Sequence, residues 1–339
     1  MGCDNSKSAL VSDKNAKPLR PKLGDCDLPK SFYADRLVVE LHKAITDNKY
    51  QVIITIFYKY KDTDYEELAE TFEHAFGVNL MDMAQSKLSP EMSTFVSMRI
   101  NSRLRAIAFY LKQSLDTKDY TSVIEIICAY SELNLTSLQQ EYSDIWAENL
   151  PDVLRNSHLD DEIRQILLSL LSKRAESQDE ENDLVVVKQT IVELSDALQT
   201  NDLFENKMLF LGTCSSRSRI QLRDIFEGFV QKSGRDLTVE LEKFYWEDRE
   251  KCQTLTTLVD ALRKKEYYFA DKIKALLAKD HSESRQQLIF TILSRPEHVL
   301  RDVKNCYKKT CLENLTTDIE HAISDQATRL ILVKHLAKC

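Results

Sequence analysis

The chain begins with a short motif that fits covalent lipid attachment. Residues 1–6 read Met-Gly-Cys-Asp-Asn-Ser, which matches the N-myristoylation pattern of Gly2 with a serine four positions later. In that chemistry Gly2 carries a myristoyl amide, and the neighbouring Cys3 offers a thiol for palmitoylation. One myristoyl chain alone binds a membrane only marginally, so a second chain on Cys3 would be needed for stable anchoring. The alternative is that Met-Gly-Cys occurs here by chance.

The residues that follow this motif are basic and rich in proline. Through residue 22 they include five basic and two acidic side chains, a local charge of 5 − 2 = +3. Such a charge is attracted to an anionic membrane surface. Pro18, Pro21 and Pro29 and the scarcity of large apolar residues argue against a packed element. We therefore predict that residues 1–31 are a flexible acylated tether.

Motifs of known catalytic chemistry are absent from the sequence. There is no GxSxG, GxGxxG, P-loop or HExxH motif, and the histidines form no ligand pair at i, i+4. Cys214 has no nearby partner for nucleophilic catalysis and occupies an apolar position, which favours a core residue. We predict that the protein is not an enzyme and needs no organic cofactor.

An internal repeat indicates the helical elements of the chain. Four anchor residues, Tyr60, Tyr130, Arg217 and Arg295, are each accompanied by large apolar side chains at the same offsets. The offsets of 5, 8 and 12 residues place three of those side chains on one helical face. The anchors advance by 130 − 60 = 70, 217 − 130 = 87 and 295 − 217 = 78 residues. This pattern is typical of stacked helical units of about 70 residues.

The composition favours an all-α fold. Six glycines and six prolines in 339 residues are few for a protein built from tight turns. Each anchor is expected to lie between two helices, and Ser89-Pro90 is a typical helix start. The polar, acidic run after residue 172 is predicted to be a connector, so that the four units group as two pairs. The predicted divisions are 1–31 (tether), 32–102 (repeat 1), 103–172 (repeat 2), 173–186 (acidic linker), 187–264 (repeat 3) and 265–339 (repeat 4).

Charge and hydropathy exclude several classes of protein. The net charge of −8 argues against nucleic acid as a partner, because phosphate binding needs clustered basic residues. No run of about 18 apolar residues is present, so no membrane span is expected. The eight cysteines show no CxxC pair or regular spacing, and the N-terminus is polar. We expect reduced thiols and a cytoplasmic location.

The repeats resemble those of the annexin family. The segments YFADKI at 268–273 and LIFTILSR at 288–295 are similar to the start of an annexin repeat and to the end of its second helix. LRDIF at 222–226 and the stretch 68–80 resemble the third helix and the turn that follows it. The resemblance covers residues 32–337. The divergence and the acylation motif most resemble the alpha-giardins, which are annexin-like cytoskeletal proteins of a flagellated protozoan.

This resemblance implies a curved disc of four repeats, each of about five helices, that binds acidic phospholipid through calcium. Annexin calcium sites use a Lys-Gly-x-Gly-Thr loop between the first two helices and a carboxylate about 40 residues later. The corresponding loops here, at 42–46, 111–116, 199–203 and 278–283, contain no glycine. The carboxylate positions fall near Lys87, Asn156, Phe244 and Ala322, with Glu320 and Asp325 a few residues away. We therefore expect most of the calcium sites to be degenerate.

Two groups of polar residues remain as weak calcium candidates under the resemblance. One group, Asp62, Asp64 and Glu66, stands at a helix start, so we favour helix capping and solvated surface for these residues. An EF-hand from Asp62 to Glu73 is rejected, because Glu67 stands where that loop needs glycine. The candidates are Lys279, Asp280, Ser282 and Glu283 in the first group, and Asp62, Asp64 and Glu66 in the second.

Taken together, the sequence predicts a peripheral protein that links an acidic phospholipid membrane to cytoskeletal proteins of the microtubule or actin type. The expected location is cytoplasmic, at the inner face of the plasma or flagellar membrane and on the cytoskeleton. The alternative is a helical-repeat adaptor that binds cytoskeletal proteins without intrinsic lipid affinity. Trp146 and Trp246 flank repeat ends; exposed, they would suit a lipid interface, but we favour buried packing.

Overall fold

The structure, a computed structural model, describes residues 33–60, 64–130, 133–172 and 184–338. These residues form twenty α-helices and no β-strand, which confirms the predicted all-α class. Repeat 1 contains α1 (Ala34–Thr46), α2 (Tyr50–Lys59), α3 (Asp64–Phe76), α4 (Leu80–Lys87) and α5 (Pro90–Ile100). Repeat 2 contains α6 (Arg103–Asp116), α7 (Tyr120–Ala129), α8 (Leu135–Trp146), α9 (Leu150–Arg155) and α10 (Asp161–Ser172).

The second half repeats the same order of five helices. Helix α11 begins at Leu184, so residues 184–186 of the predicted linker are helical. Repeat 3 contains α11 (Leu184–Gln199), α12 (Lys207–Ser216), α13 (Arg219–Ser233), α14 (Leu237–Phe244) and α15 (Arg249–Arg263). Repeat 4 contains α16 (Lys265–Leu277), α17 (Ser282–Leu293), α18 (Glu297–Cys311), α19 (Leu315–Ala322) and α20 (Gln326–Leu336). We call the five helices of each repeat A to E.

The side chains of the apolar pattern form the core of each repeat. Every anchor lies between the B and C helices, as predicted, and every residue at the shared apolar offsets is buried. Burying such side chains contributes about 1.5–3 kcal/mol each, which makes this pattern the main source of stability. Those residues are Ile53, Ile54, Tyr65, Leu68, Phe72, Leu80, Val123, Ile124, Leu135, Leu138, Tyr142, Leu150, Phe210, Leu211, Leu222, Ile225, Phe229, Leu237, Leu288, Ile289, Leu300, Val303, Tyr307 and Leu315.

The turn between the C and D helices is also the same in all four repeats. The C helix ends at a residue in the left-handed conformation, which is Gly77, Ala147, Gly234 or Leu312. Two residues later an Asn or Asp caps the D helix through its side chain. Glycine takes the left-handed conformation freely, whereas alanine and leucine are held in it at a cost of roughly 1–2 kcal/mol. The packing of each repeat therefore imposes this turn even where the left-handed residue is not glycine.

The repeats do not pair in chain order. Helix α17 of repeat 4 packs on α5 of repeat 1, and α15 of repeat 3 packs on α7 of repeat 2. The buried guanidinium of Arg219 in repeat 3 donates to carbonyls of repeat 2, at Ile127, Tyr130 and Leu133 (3.1–3.3 Å). The prediction that repeats 1 and 2 form one pair and repeats 3 and 4 form the other is therefore wrong. The acidic connector separates the halves in sequence, whereas the apolar faces join repeats 1 and 4, and 2 and 3.

A buried ionic cluster joins repeats 2 and 4. Glu125 of α7 is fully buried and pairs with Lys272 of α16 and with Arg295, 3.6 Å away. The hydroxyl of Tyr268 donates to the same carboxylate (3.0 Å), and the guanidinium of Arg295 lies 3.3 Å from the ring centre of Phe269. Two cations around one carboxylate offset the desolvation that a lone buried charge would suffer.

No helix in the described ranges has both the length and the apolar composition needed to cross a membrane.

Candidate functional site

The candidate site is formed by two loops of each repeat, which we call the AB and DE loops. The AB loops are residues 47–49, 117–119, 200–206 and 278–281, and the DE loops are residues 88–89, 156–160, 245–248 and 323–325. In repeat 4 the carboxylate of Asp280 accepts from the amide of Ser324 (3.0 Å), which ties the AB loop to the DE loop. In repeat 2 the hydroxyl of Tyr120 accepts from the amide of His158 (3.0 Å). The two loops therefore lie side by side in repeats 2 and 4.

The AB loops of repeats 1 and 2 differ in position from the sequence prediction, whereas those of repeats 3 and 4 overlap the predicted segments 199–203 and 278–283. The segments 42–46 and 111–116 belong to α1 and α6, and the loops follow them. Each AB loop contains one residue in the left-handed conformation: Asn48 (φ 53°), Lys118 (φ 60°), Asn201 (φ 60°) and Asp280 (φ 32°). Asn and Asp tolerate this conformation better than other non-glycine residues. The backbone turn that glycine would favour is thus kept without glycine.

An internal cation occupies the oxygens of the fourth AB loop. The guanidinium of Arg285 donates to the carbonyl of Asp280 (3.0 Å) and to its carboxylate (3.2 Å). The same guanidinium pairs with the buried Glu91 of α5 (3.0 Å). Backbone carbonyls and carboxylates of this kind are the ligands that calcium requires. Here a side-chain cation takes them and joins the loop to repeat 1.

The electrostatics of Asp280 follow from these contacts. Partial burial alone would raise the pKa of this carboxyl group, but hydrogen bonds from Ser324 and Arg285 outweigh it and hold the pKa below its usual range. Asp280 is therefore ionised at neutral pH, with both oxygens engaged inside the protein. The nearby Asp325 caps α20 by accepting from Thr328 (2.7 Å), so it too is engaged.

The other calcium candidates are not gathered into one site. Lys279 and Glu283 are exposed, and the hydroxyl and carbonyl of Ser282 accept from Gln286 (3.3–3.4 Å). Asp64 and Glu66 stand in the first turn of α3, where their charge favours the helix. In the described part of the chain no three His, Cys, Asp or Glu side chains are arranged to hold a metal ion. Asp62, Gly2 and Cys3 lie outside the described residues.

The AB loops of three repeats present an exposed lysine. Lys49, Lys118 and Lys279 stand at or next to the left-handed residue of loops 1, 2 and 4. Lys49 pairs with Asp47 (2.8 Å), and both side chains are solvated, so this pair contributes little stability. Of these lysines, only Lys279 was among the residues predicted from the sequence, and there as a neighbour of a calcium site. The common position of Lys49, Lys118 and Lys279 between the A and B helices is the signal that would have grouped them.

Repeat 3 presents aromatic side chains at the same loops. Phe204 of the AB loop packs on Phe244 and Tyr245, with ring centres 5.4 and 6.2 Å away. Trp246 is 70% exposed and Phe244 is 42% exposed. Indole rings and other amphipathic aromatics favour the interface between water and lipid. The prediction that Trp246 packs in the core is therefore wrong, because the DE loop places its side chain in solvent.

Trp146, at the end of α8, is half-buried. Its ring lies edge-on to Phe109 (5.3 Å between ring centres) and is tilted against Tyr142 (4.7 Å). The expected packing holds in part, since one face of the indole is covered. Cys214 is fully buried, as its apolar position predicted.

Comparison with curated proteins finds annexins. No family model matches the chain. The chain is 22% identical to annexin A6 of Mus musculus over 293 residues, which are 85% of this chain and 42% of that protein. It is 23% identical to annexin A11 of Oryctolagus cuniculus over 284 residues, which are 83% of this chain and 55% of that protein. The chain thus spans about half the length of these relatives.

Solved structures show the same fold. Annexin A8 superposes with a TM-score of 0.74 at 20% identity, over 91% of this chain and 95% of that one. Calcium-bound alpha-1 giardin and alpha-14 giardin superpose with TM-scores of 0.63 and 0.67 at 14% identity, over 90% and 89% of this chain and 99% of each giardin. The predicted resemblance to annexins and the annexin-like alpha-giardins is therefore confirmed, and the fold of this chain is the annexin repeat fold.

Proposed function

We propose that this protein is a peripheral membrane protein that binds acidic phospholipid through its AB and DE loops. The observation that carries the proposal is the set of exposed side chains at these loops. Lysines stand in repeats 1, 2 and 4, and the aromatic pair Phe244 and Trp246 stands in repeat 3. Each basic residue near an anionic surface contributes about 1 kcal/mol. Three lysines and an interfacial tryptophan supply both the electrostatic and the apolar parts of membrane attachment.

Calcium has a minor role in this proposal. The fourth loop, which carries Asp280 and Glu283, is the best candidate for an ion, and Lys279 and Ser282 are its neighbours. Arg285 already neutralises the oxygens of that loop. Displacing a guanidinium from paired carboxylates is unfavourable, so we expect weak calcium affinity. Asp62, Asp64 and Glu66 remain a weaker candidate, and capping of α3 is the better account of them.

Covalent lipid is the second part of the proposal. Myristoylation of Gly2 and palmitoylation of Cys3 would supply the durable anchor that weak loop contacts do not. The protein would then lie at the cytoplasmic face of a plasma or flagellar membrane and join it to microtubule or actin proteins. The cytoskeletal part of the proposal is an expectation that rests on the resemblance to the alpha-giardins alone.

The test of the anchor is cell fractionation of wild type, Gly2→Ala and Cys3→Ser. Because the myristoyl chain is what first brings Cys3 to a membrane, Gly2→Ala should lose both chains and move the protein to the soluble fraction, with or without calcium. Cys3→Ser should give partial release, because one chain remains. Unchanged membrane retention of Gly2→Ala would refute the role of acylation.

The second candidate is a helical-repeat adaptor without intrinsic lipid affinity. The groove between repeats 1 and 2, described below, supports protein binding. Unacylated protein on acidic vesicles separates the two functions, because only the first predicts binding.

A further inference from the structure

A groove of about 1050 Å³ lies between repeats 1 and 2, apart from the AB and DE loops that carry the aromatic side chains. Helices α3, α4 and α5 form one side of it, α6 and the end of α8 form the other, and α17 of repeat 4 supplies part of its base. A groove of this size equals the upper range of small-molecule pockets and is open to larger ligands.

One side of the groove is apolar and aromatic. Phe109 of α6 is 39% exposed, and its ring lies against the indole of Trp146. Deeper in the groove the rings of Tyr110 and Phe290 are stacked, with ring centres 3.6 Å apart. Met98 of α5 also lines the groove. Phe290 is fully buried, so the apolar surface open to a partner consists of the exposed Phe109 and the half-buried Trp146, Tyr110 and Met98. Covering these side chains gains free energy.

The opposite side is acidic. Glu66, Glu70 and Glu73 of α3 are exposed, line the groove and form no ion pair among the described residues. Their spacing of i, i+4 and i+7 places them on one face of the helix, in a row about 10 Å long. Glu73 accepts one hydrogen bond, from the Asn79 amide (3.3 Å).

The basic residues of the groove do not offset this charge. Arg105 pairs with Glu141 (3.5 Å), and Lys112 pairs with Glu148 (3.1 Å) and Asp116 (3.3 Å). Both cations are therefore neutralised on their own side. The lining holds two basic and four acidic residues, a balance of 2 − 4 = −2. The groove thus combines an apolar wall with a facing wall of uncompensated carboxylates.

We propose that this groove binds a basic amphipathic helix of a partner protein. Lysine or arginine side chains at i, i+4 and i+7 of that helix would meet Glu66, Glu70 and Glu73, and its apolar face would cover Phe109 and Trp146. Grooves that bind helices recognise this spacing of anchors. The net charge of −8 also attracts a basic partner over long range. Leu88 of a DE loop and Thr117 of an AB loop also line the groove, but the side chains that recognise the helix belong to α3, α6 and α8, so the inference does not rest on the proposed membrane binding.

The test uses Trp146 as a reporter. The chain has two tryptophans, so the full-length Trp246→Phe variant leaves Trp146 as the single indole. The probe is an amphipathic peptide of leucine, alanine and lysine, with lysines at the spacing above; the control peptide has glutamate in place of lysine. The lysine peptide should change the emission of Trp146 saturably and bind more weakly as salt is raised, while the glutamate peptide should leave the emission unchanged.

Matched variants locate the binding. Replacing Glu66, Glu70 and Glu73 by Gln should weaken the lysine peptide about tenfold, since three exposed charge pairs are lost. Replacing the exposed acidic residues of repeat 3, Glu242, Glu247 and Glu250, by Gln removes the same charge elsewhere and should leave the affinity unchanged. Equal losses in both variants, or equal binding of both peptides, would overturn the proposal. So would light scattering that shows the groove variant to be monomeric and wild type dimeric, because a second copy would then be the occupant.

Discussion

The contact of Arg285 with Glu91 and Asp280 allows a quantitative prediction for Arg285→Met, which keeps the apolar stem and removes the guanidinium. Glu91 is 4% exposed, and its carboxylate is left buried without a partner. Removing one member of a buried pair costs about 3–5 kcal/mol. Because the side chain of Arg285 is 18% exposed and water reaches the pair, we expect a smaller cost, about 2–3 kcal/mol.

The measurement is the free energy of unfolding from urea transitions followed by circular dichroism. Glu91→Gln placed in the Arg285→Met background should recover about half of the loss, since a neutral amide replaces the stranded charge. Arg223→Met is the control, because its pair with Asp224 is solvated and should contribute less than about 0.5 kcal/mol. If Arg285→Met were as stable as the control variant, the fourth loop would not depend on an internal cation, and that part of our reasoning would be refuted.

Three further predictions concern other sites. Glu125→Gln should lower the free energy of unfolding by about 3 kcal/mol, measured in urea, because it leaves Arg295 and Lys272 without a buried counter-charge. Burial and the neighbouring Asp236 raise the pKa of Asp260 to about 6, so its folded pKa lies above its unfolded value near 4, and stability falls as pH rises from about 4 to 6. Asp260→Asn should therefore stabilise the protein by about 1–2 kcal/mol at pH 7.5 and have little effect below pH 4, as urea transitions at both pH values would show. Trp246→Ser should reduce binding of unacylated protein to phosphatidylserine vesicles without changing stability by more than about 0.5 kcal/mol, since the side chain is 70% exposed.

Much of the fold could be predicted from the sequence, because large apolar residues recur at the same offsets in each repeat. The side chains at the shared offsets are buried in every repeat, and the anchors lie at the B–C junctions. The pairing of repeats 1 and 4 could not be predicted, because it depends on contacts far apart in the chain, such as that between α5 and α17. The helix start at Ser89 could be predicted, since the chemistry of a capping side chain is local.

The site was harder to predict than the fold. The absence of glycine from the AB loops indicated lost calcium coordination, but Asn48 and Asn201 keep the left-handed turn, which a search for glycine misses. Arg285 was not foreseen, because its partners Glu91 and Asp280 meet only through the packing of repeats 1 and 4. Trp246 was misjudged, since a hydrophobicity argument does not locate a residue in a DE loop.

The central claim is that the AB and DE loops bind acidic membranes with little help from calcium. The most direct measurement is sedimentation of unacylated protein with phosphatidylserine vesicles, in calcium and in chelator. We predict salt-sensitive pelleting in both conditions, weakened about a hundredfold when Lys49, Lys118 and Lys279 are replaced by Gln. The matched control, Lys232, Lys308 and Lys309 to Gln near the ends of C helices, should pellet like wild type. Pelleting only in calcium, or no pelleting in either condition, would contradict the account.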